Sequence, residues 1–227
     1  MNTDKPTAEQ ETKSRRLAVG LAVVAGIFAT VLRIVPHPTN FSSVGALSLF
    51  GGARISGWQA YLVPLGVMIF SDQILWALSG FDFNYSLGHP SRFFVYASFM
   101  IYVWIGRWLQ ARNSIGAVAL AGTLGGLQFF VLTNFCVWLF QPFYFTVPLY
   151  SQDLNGLLMC FAAALPFYQG DTNFAAHPFA LLTDFKLTIV WTVLGDILFT
   201  SIYLLVHAKL VQRVGATDPM PAPAANA

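Results

Sequence analysis

The sequence predicts an all-α polytopic membrane protein, a compact bundle of about six transmembrane helices. Three observations carry that expectation. Hydrophobic residues make up 56% of the chain and charged residues 10%, against roughly 25% charged in a typical soluble domain. The mean hydropathy is +0.61. The apolar residues also gather in long runs separated by polar or Pro-containing loops, and a run of roughly 20 residues crosses the ~30 Å hydrocarbon layer as a helix. Residues 17–210 therefore read as one membrane domain. It is flanked by a polar tail over 1–16 and an Ala/Pro-rich tail over 211–227. Both tails are expected to be disordered, because they lack the apolar surface that offsets the entropy of ordering.

In order, the runs are Leu17–Val35, Val44–Ala53, Trp58–Leu78, Phe93–Leu109, Ile115–Phe140, Gly156–Phe167 and Leu187–Val206. The first follows Lys13, Arg15 and Arg16. With no small-x-small cleavage site behind it and further runs ahead, it reads as a retained helix rather than a secretory signal. Val44–Ala53 is short for a span and is expected to cross where the bilayer is thinned or the helix tilted, or to join with residues before Val44. Trp58–Leu78, Phe93–Leu109 and Ile115–Phe140 are long enough to cross. Gly156–Phe167 contains Pro166 and reads as an interfacial or re-entrant helix, with a seventh crossing as the alternative. Leu187–Val206 is the last span.

Positive charge orients the bundle. Besides the N-terminal cluster, Arg54 follows the second run, Arg107 and Arg112 separate the fourth from the fifth, and Lys209 and Arg213 follow the last. With six crossings all of them fall on one side, so both termini are expected to be cytoplasmic. The net charge of +2 is small and its carriers are scattered, which excludes a nucleic-acid surface. No nucleotide-binding motif, no nucleophile with a base and no paired carboxylates on one helix are present, so no catalytic residue and no cofactor are assigned and the protein is not expected to be an enzyme.

The polar residues within the apolar chain are the candidate functional ones. Arg33, Asp72, Asn134 and Asp196 fall inside runs, where a central charge costs ~3 kcal/mol on insertion scales, so each is expected to face protein, water or a partner charge. Arg33 and Asp72 lie at similar depth and are expected to pair. Asp196 has no basic residue at its depth, and is expected either to cap a neighbouring broken helix or to carry a proton. The outward loops hold His37, His89 and His177, each followed by Pro. Neutral imidazoles ligate transition metals, but His-Pro equally marks a turn at the interface, and no His-Glu-x-x-His or Cys-x-x-Cys spacing is present, so no metal is assigned. The same loops are rich in aromatics, which fits an interfacial belt. Mixed with Asn and Gln, they also fit a pocket for a flat, partly polar molecule. The residues expected to hold it are His37, Asn40, Phe41, Asn84, Tyr85, His89, Asn134 and Trp138. In the first run, Ala18, Ala22 and Gly26 recur at four-residue spacing and form a smooth face for close helix packing, by another helix of this chain or by a partner subunit. Cys136 and Cys160 read as two buried thiols.

Five segments carry a resemblance. They are the stretch Arg33 to Arg54, Ile69-Phe-Ser-Asp72, Phe129-Phe-Val-Leu-Thr-Asn134-Phe-Cys-Val-Trp138, the segment from Gly156-Leu-Leu-Met-Cys160 to Leu165-Pro-Phe, and Leu194-Gly-Asp196-Ile-Leu-Phe-Thr200. Over roughly residues 17–210 the chain resembles an uncharacterised bacterial membrane family. That family is similar to the S-components, the substrate-binding subunits of energy-coupling-factor (ECF) vitamin transporters, and distantly similar to the solitary bacterial cobalamin transporter. The resemblance implies a six-helix bundle in the bacterial cytoplasmic (inner) membrane that binds a vitamin-like ligand near its outer face. It also implies that a small-residue face on the first helix, here Ala18, Ala22 and Gly26, docks on a membrane coupling subunit driven by ATPases. The cobalamin transporter holds cobalt through a cysteine before its fourth helix. Residues 79–92 contain no cysteine here, although His89 lies in the matching region. An insertion at about residues 169–187 also departs from the family pattern.

The leading expectation is thus a membrane substrate-binding protein for uptake of a vitamin-like small molecule, without chemistry of its own. The alternative is a non-catalytic structural subunit of a larger membrane complex, for which the apolar bulk and the small-residue face suffice.

Overall fold

The computed structural model describes residues 7–35, 41–83, 86–112, 114–144, 147–164 and 188–216. Among them are seven α-helices and no strand: α1 (Ala8–Ile34), α2 (Val44–Arg54), α3 (Gln59–Leu78), α4 (Ser91–Trp108), α5 (Ile115–Tyr144), α6 (Leu154–Ala164) and α7 (Thr188–Arg213). A short 3-10 turn, Leu109–Ala111, continues α4.

The first helix starts at Ala8 rather than Leu17, so residues 8–16 are helical and not a disordered tail. The cause is local. Thr7 and Gln10 form a reciprocal capping box, Glu9 and Glu11 sit in the first turn where the helix dipole favours acids, and Lys13 pairs with Glu9 one turn away. The tail reading weighed polarity and overlooked the capping signature. At the other end of the chain, the Gln10 side chain donates to the Gly215 carbonyl at 3.3 Å.

The second helix is the largest departure from expectation. At 11 residues it is about 16 Å long, and every residue from Val44 to Ala53 is buried. It is the axis of the molecule. Helices α1, α3, α4, α5 and α7 form a closed ring, each touching the next, and α2 touches all five. The sequence of α2 permits this position. It is apolar on every side, as a fully enclosed helix must be, and small enough for its neighbours to approach closely. A Cβ on Gly52 would fall against the Val103 carbonyl of α4, and one on Gly106 against the Leu49 carbonyl of α2, so the two backbones cross in direct contact at this pair. The core is built around α2, with Met68 from α3 and Phe99, Tyr102 and Val103 from α4. The sixth helix packs outside the ring, against α5.

Four helices are long and apolar enough to cross a membrane: α1, α3, Ile115–Phe143 within α5, and Ile189–Arg213 within α7. This fits a multi-pass membrane protein. The fourth helix, at 18 residues, carries Arg92 and Arg107 near its ends and is not among them. The described part of the Gly156–Phe167 segment ends at Ala164, and α6, at 11 residues, is about half the length of a span. Exposed apolar side chains such as Val23, Val24 and Ile27 of α1, Trp104 of α4 and Leu205 of α7 cover the outside of the ring.

The small-residue stripe of α1 faces inward. Ala18, Ala22 and Gly26 are buried together with Ala25 and Ala29, and a Cβ on Gly26 would lie 2.9 Å from Val67 of α3 and 3.9 Å from Leu47 of α2. The stripe is therefore occupied by the chain's own helices, which corrects the expectation that these three residues dock a partner subunit.

Candidate functional site

A cavity of about 230 Å³ lies inside the ring, bounded by α2 and by side chains of α1, α3, α4, α5 and α7. Arg33 forms part of its wall, and Gly45, Tyr102 and Asp196 form another part. Leu75, Val95, Phe99 and Phe129 supply its apolar lining.

The expected pairing of Arg33 with Asp72 is present. The Arg33 Nη2 donates to Asp72 Oδ1, and Asp72 is fully buried. Two groups join that the sequence did not single out. The Tyr96 hydroxyl donates to Asp72 Oδ2 at 2.7 Å, and the Arg92 Nη1 lies 3.6 Å from the same oxygen. Asp72 thus ties α1 to α3 and both to α4. Arg33 has less than a full set of acceptors. Its Nη1 points at the Met68 thioether, 2.8 Å away, and its buried Nε has no acceptor among the described residues.

Asp196 faces the N-terminus of α2, where the capping expectation places it. From the middle of α7 it accepts the Tyr102 hydroxyl at 2.5 Å and lies close to the backbone of Ala46 in the first turn of α2. Ser43, at the N-cap of α2, makes no side-chain capping bond, so a carboxyl group from another helix stands where a capping side chain would. Two glycines make room for this. A Cβ on Gly45 would overlap Asp196 Oδ1, and one on Gly125 of α5 would overlap the Tyr102 ring.

The expected ligand-binding residues separate into three groups. Phe41 packs edge-on against Trp191, with centroids 6.0 Å apart, and against Phe199 at 5.5 Å. It touches the Gly195 position next to Asp196. His89, Asn134 and Trp138 are engaged elsewhere. The His89 Nδ1 lies 2.6 Å from Ser91 Oγ and accepts the Ser91 N–H at 3.3 Å, shaping the turn into α4. Asn134 donates to the Phe130 carbonyl one turn back at 2.7 Å. Trp138 Nε1 donates to the Ser151 carbonyl at 2.9 Å and holds the segment before α6. These three support local structure, and neither they nor Phe41 line the cavity. His37, Asn40, Asn84 and Tyr85 lie outside the described residues.

A family model matches residues 11–217, and its description is "Family of unknown function (DUF6580)". The chain belongs to the DUF6580 family. No curated protein and no solved structure matches it.

In this DUF6580 protein five of the residues missed by sequence reasoning share α4, while Leu75 of α3 and Phe129 of α5 are others. Val95, Phe99 and Tyr102 line the cavity, and Arg92 and Tyr96 reach Asp72 from the same helix. Their spacing of three and four residues marks one helical face, and that was the available signal. The opposite end of the ring is tied by side-chain bonds to backbone: Arg107 to Gly57 at 2.8 Å, Gln110 to Gly52 at 3.0 Å, and His207 to the Ser14 carbonyl at 3.3 Å.

Proposed function

We propose that this DUF6580 protein is a membrane substrate-binding subunit that serves uptake of a vitamin-like small molecule, in the manner of an ECF S-component. The observation that supports this reading most directly is the partly open cavity bounded by five helices and α2, with a guanidinium and a carboxyl group among apolar walls. Mostly apolar concave sites with a few placed polar groups are the usual form of small-molecule sites. A volume of about 230 Å³ is several times too small for a corrinoid, which disfavours cobalamin as the ligand.

On this reading α2 and α4 complete six crossings with α1, α3, α5 and α7. Both termini face the cytoplasm, with the cations Lys13, Arg15, Arg16, Arg54, Arg107, Arg112, Lys209 and Arg213 on that side as the positive-inside rule favours. A coupling subunit with ATPases would supply the energy, and it would meet a surface other than the buried Ala18, Ala22 and Gly26 stripe. The test is native mass spectrometry of the purified protein, with thermal unfolding across a panel of vitamins. A co-purified small molecule or a raised Tm is expected. A flat response, with stoichiometric co-purification of other membrane proteins, would instead favour the structural-subunit alternative.

A further inference from the structure

We propose that the cavity takes a flat, monoanionic molecule of about ten non-hydrogen atoms, with its anionic group on Arg33 and a hydrogen-bond donor at its other end on Asp196. This rests on the binding reading above and adds the class of substrate.

The size follows from the volume. An engineered cavity of about 150 Å³ holds benzene, so in proportion about 230 Å³ holds a molecule half as large again. Flatness follows from the walls. Phe99 and Phe129 lie 5.6 Å apart, centroid to centroid, with their planes tilted by 47°, and Tyr102 stacks on Phe99 at 5.8 Å. The three rings pack on one another and all line the cavity, so much of its wall is aromatic and suits an aromatic guest in edge-on or offset contact.

The polarity follows from unused bonding capacity. A guanidinium carries five N–H donors in a planar fork. The acceptors that Arg33 meets among the described residues are one Asp72 oxygen and the sulfur of Met68, and sulfur is a weak acceptor. A cation so placed suits a carboxylate, which accepts two parallel N–H bonds from the fork. Asp196 is the complement. Its Oδ2 takes the Tyr102 hydroxyl, which leaves acceptor capacity on the carboxyl group. Gly45 lines the cavity beside it, and any side chain there would collide with the carboxylate. Asp196 Oδ1 itself fills the room that the absent side chain leaves, and the carboxyl group is part of the cavity wall, where it can take a guest's N–H or O–H.

The test is calorimetric titration of the full-length protein in lipid nanodiscs with 4-aminobenzoate, benzoate, 4-aminobenzamide and 4-aminobenzylamine. The expected order places 4-aminobenzoate first. Benzoate, lacking the amine donor, should bind about 2- to 10-fold more weakly, and neutral 4-aminobenzamide at least about 10-fold more weakly. Arg33→Lys keeps a cation for Asp72 but removes the fork, and should erase most of the preference for the carboxylates over the amide. Leu75→Trp fills the cavity and should abolish binding of every probe while the protein stays monodisperse and helical. If the amide or the cationic benzylamine binds as tightly as 4-aminobenzoate, and Leu75→Trp abolishes it, the cavity is a binding site but the anionic class is wrong. If the vitamin panel yields a neutral or cationic ligand, the class is also wrong. If neither the probes nor the panel bind, the class falls together with the binding reading.

Discussion

Replacing Asp72 with Leu tests whether the buried charge cluster holds three helices together. Asp72 is fully buried and accepts from Arg33 and Tyr96. Its removal leaves the Arg33 cation without its acid, and breaking a buried pair from one side costs about 3–5 kcal/mol. The Arg33 and Arg92 side chains are 16% and 15% exposed, so water recovers part of that cost and the lower end, about 3 kcal/mol, applies. The Tyr96 hydroxyl then lacks its acceptor, which adds about 1 kcal/mol. At about 2–4 °C per kcal/mol for a chain of this size, the Tm falls by roughly 8–16 °C. The double variant Arg33→Met, Asp72→Leu replaces the pair by apolar groups, which is often near neutral, and should recover about half of the loss. The assay is thermal unfolding in detergent across the full double-mutant cycle. Additive losses from the two single changes, with no recovery in the double variant, would refute the coupling inferred from the geometry.

Three further outcomes follow from the packing and the loops. Gly26→Leu should destabilise the isolated protein by about 1–3 kcal/mol by overpacking α1 against Val67 and Leu47; an unchanged Tm without any partner present would return the stripe to a docking role. Tyr102→Phe should cost about 1–3 kcal/mol by removing a donor from Asp196, and hydrogen exchange should quicken first at the N-terminal amides of α2. His89, in the turn before α4, has its pKa lowered from 6.5, chiefly by burial and secondly by Arg92. The folded turn thus binds a proton less readily than the unfolded one, so its contribution is complete above 6.5 and falls as the pH drops below that value. Exchange at the Ser91 amide, corrected for its intrinsic rate, should rise on acidification through this window in the parent protein and stay level in His89→Gln.

What the sequence discloses about such a protein is depth, and what it withholds is azimuth. Arg33 and Asp72 were readable as a pair because two opposite charges in apolar runs, at matching distance from the run ends, have no cheaper partner than each other. The capping role of Asp196 was readable for the same reason, as one of two ways to satisfy a carboxylate with no cation at its level. The cavity was not readable, because it exists only where five helices meet a sixth, and their order around α2 leaves no mark on any single run. In a chain with 15% aromatic residues, Tyr96, Phe99 and Tyr102 look like an interfacial belt until α4 is placed against α2, and its placement depends on a contact between two glycines, Gly52 and Gly106. A short, almost wholly apolar, glycine-rich run between long spans was therefore a stronger signal than its length allowed. A helix shorter than an ordinary span and apolar on nearly every side has one low-energy position, the centre of the bundle, and the polar groups that face such a helix from its neighbours are where a binding site should be sought.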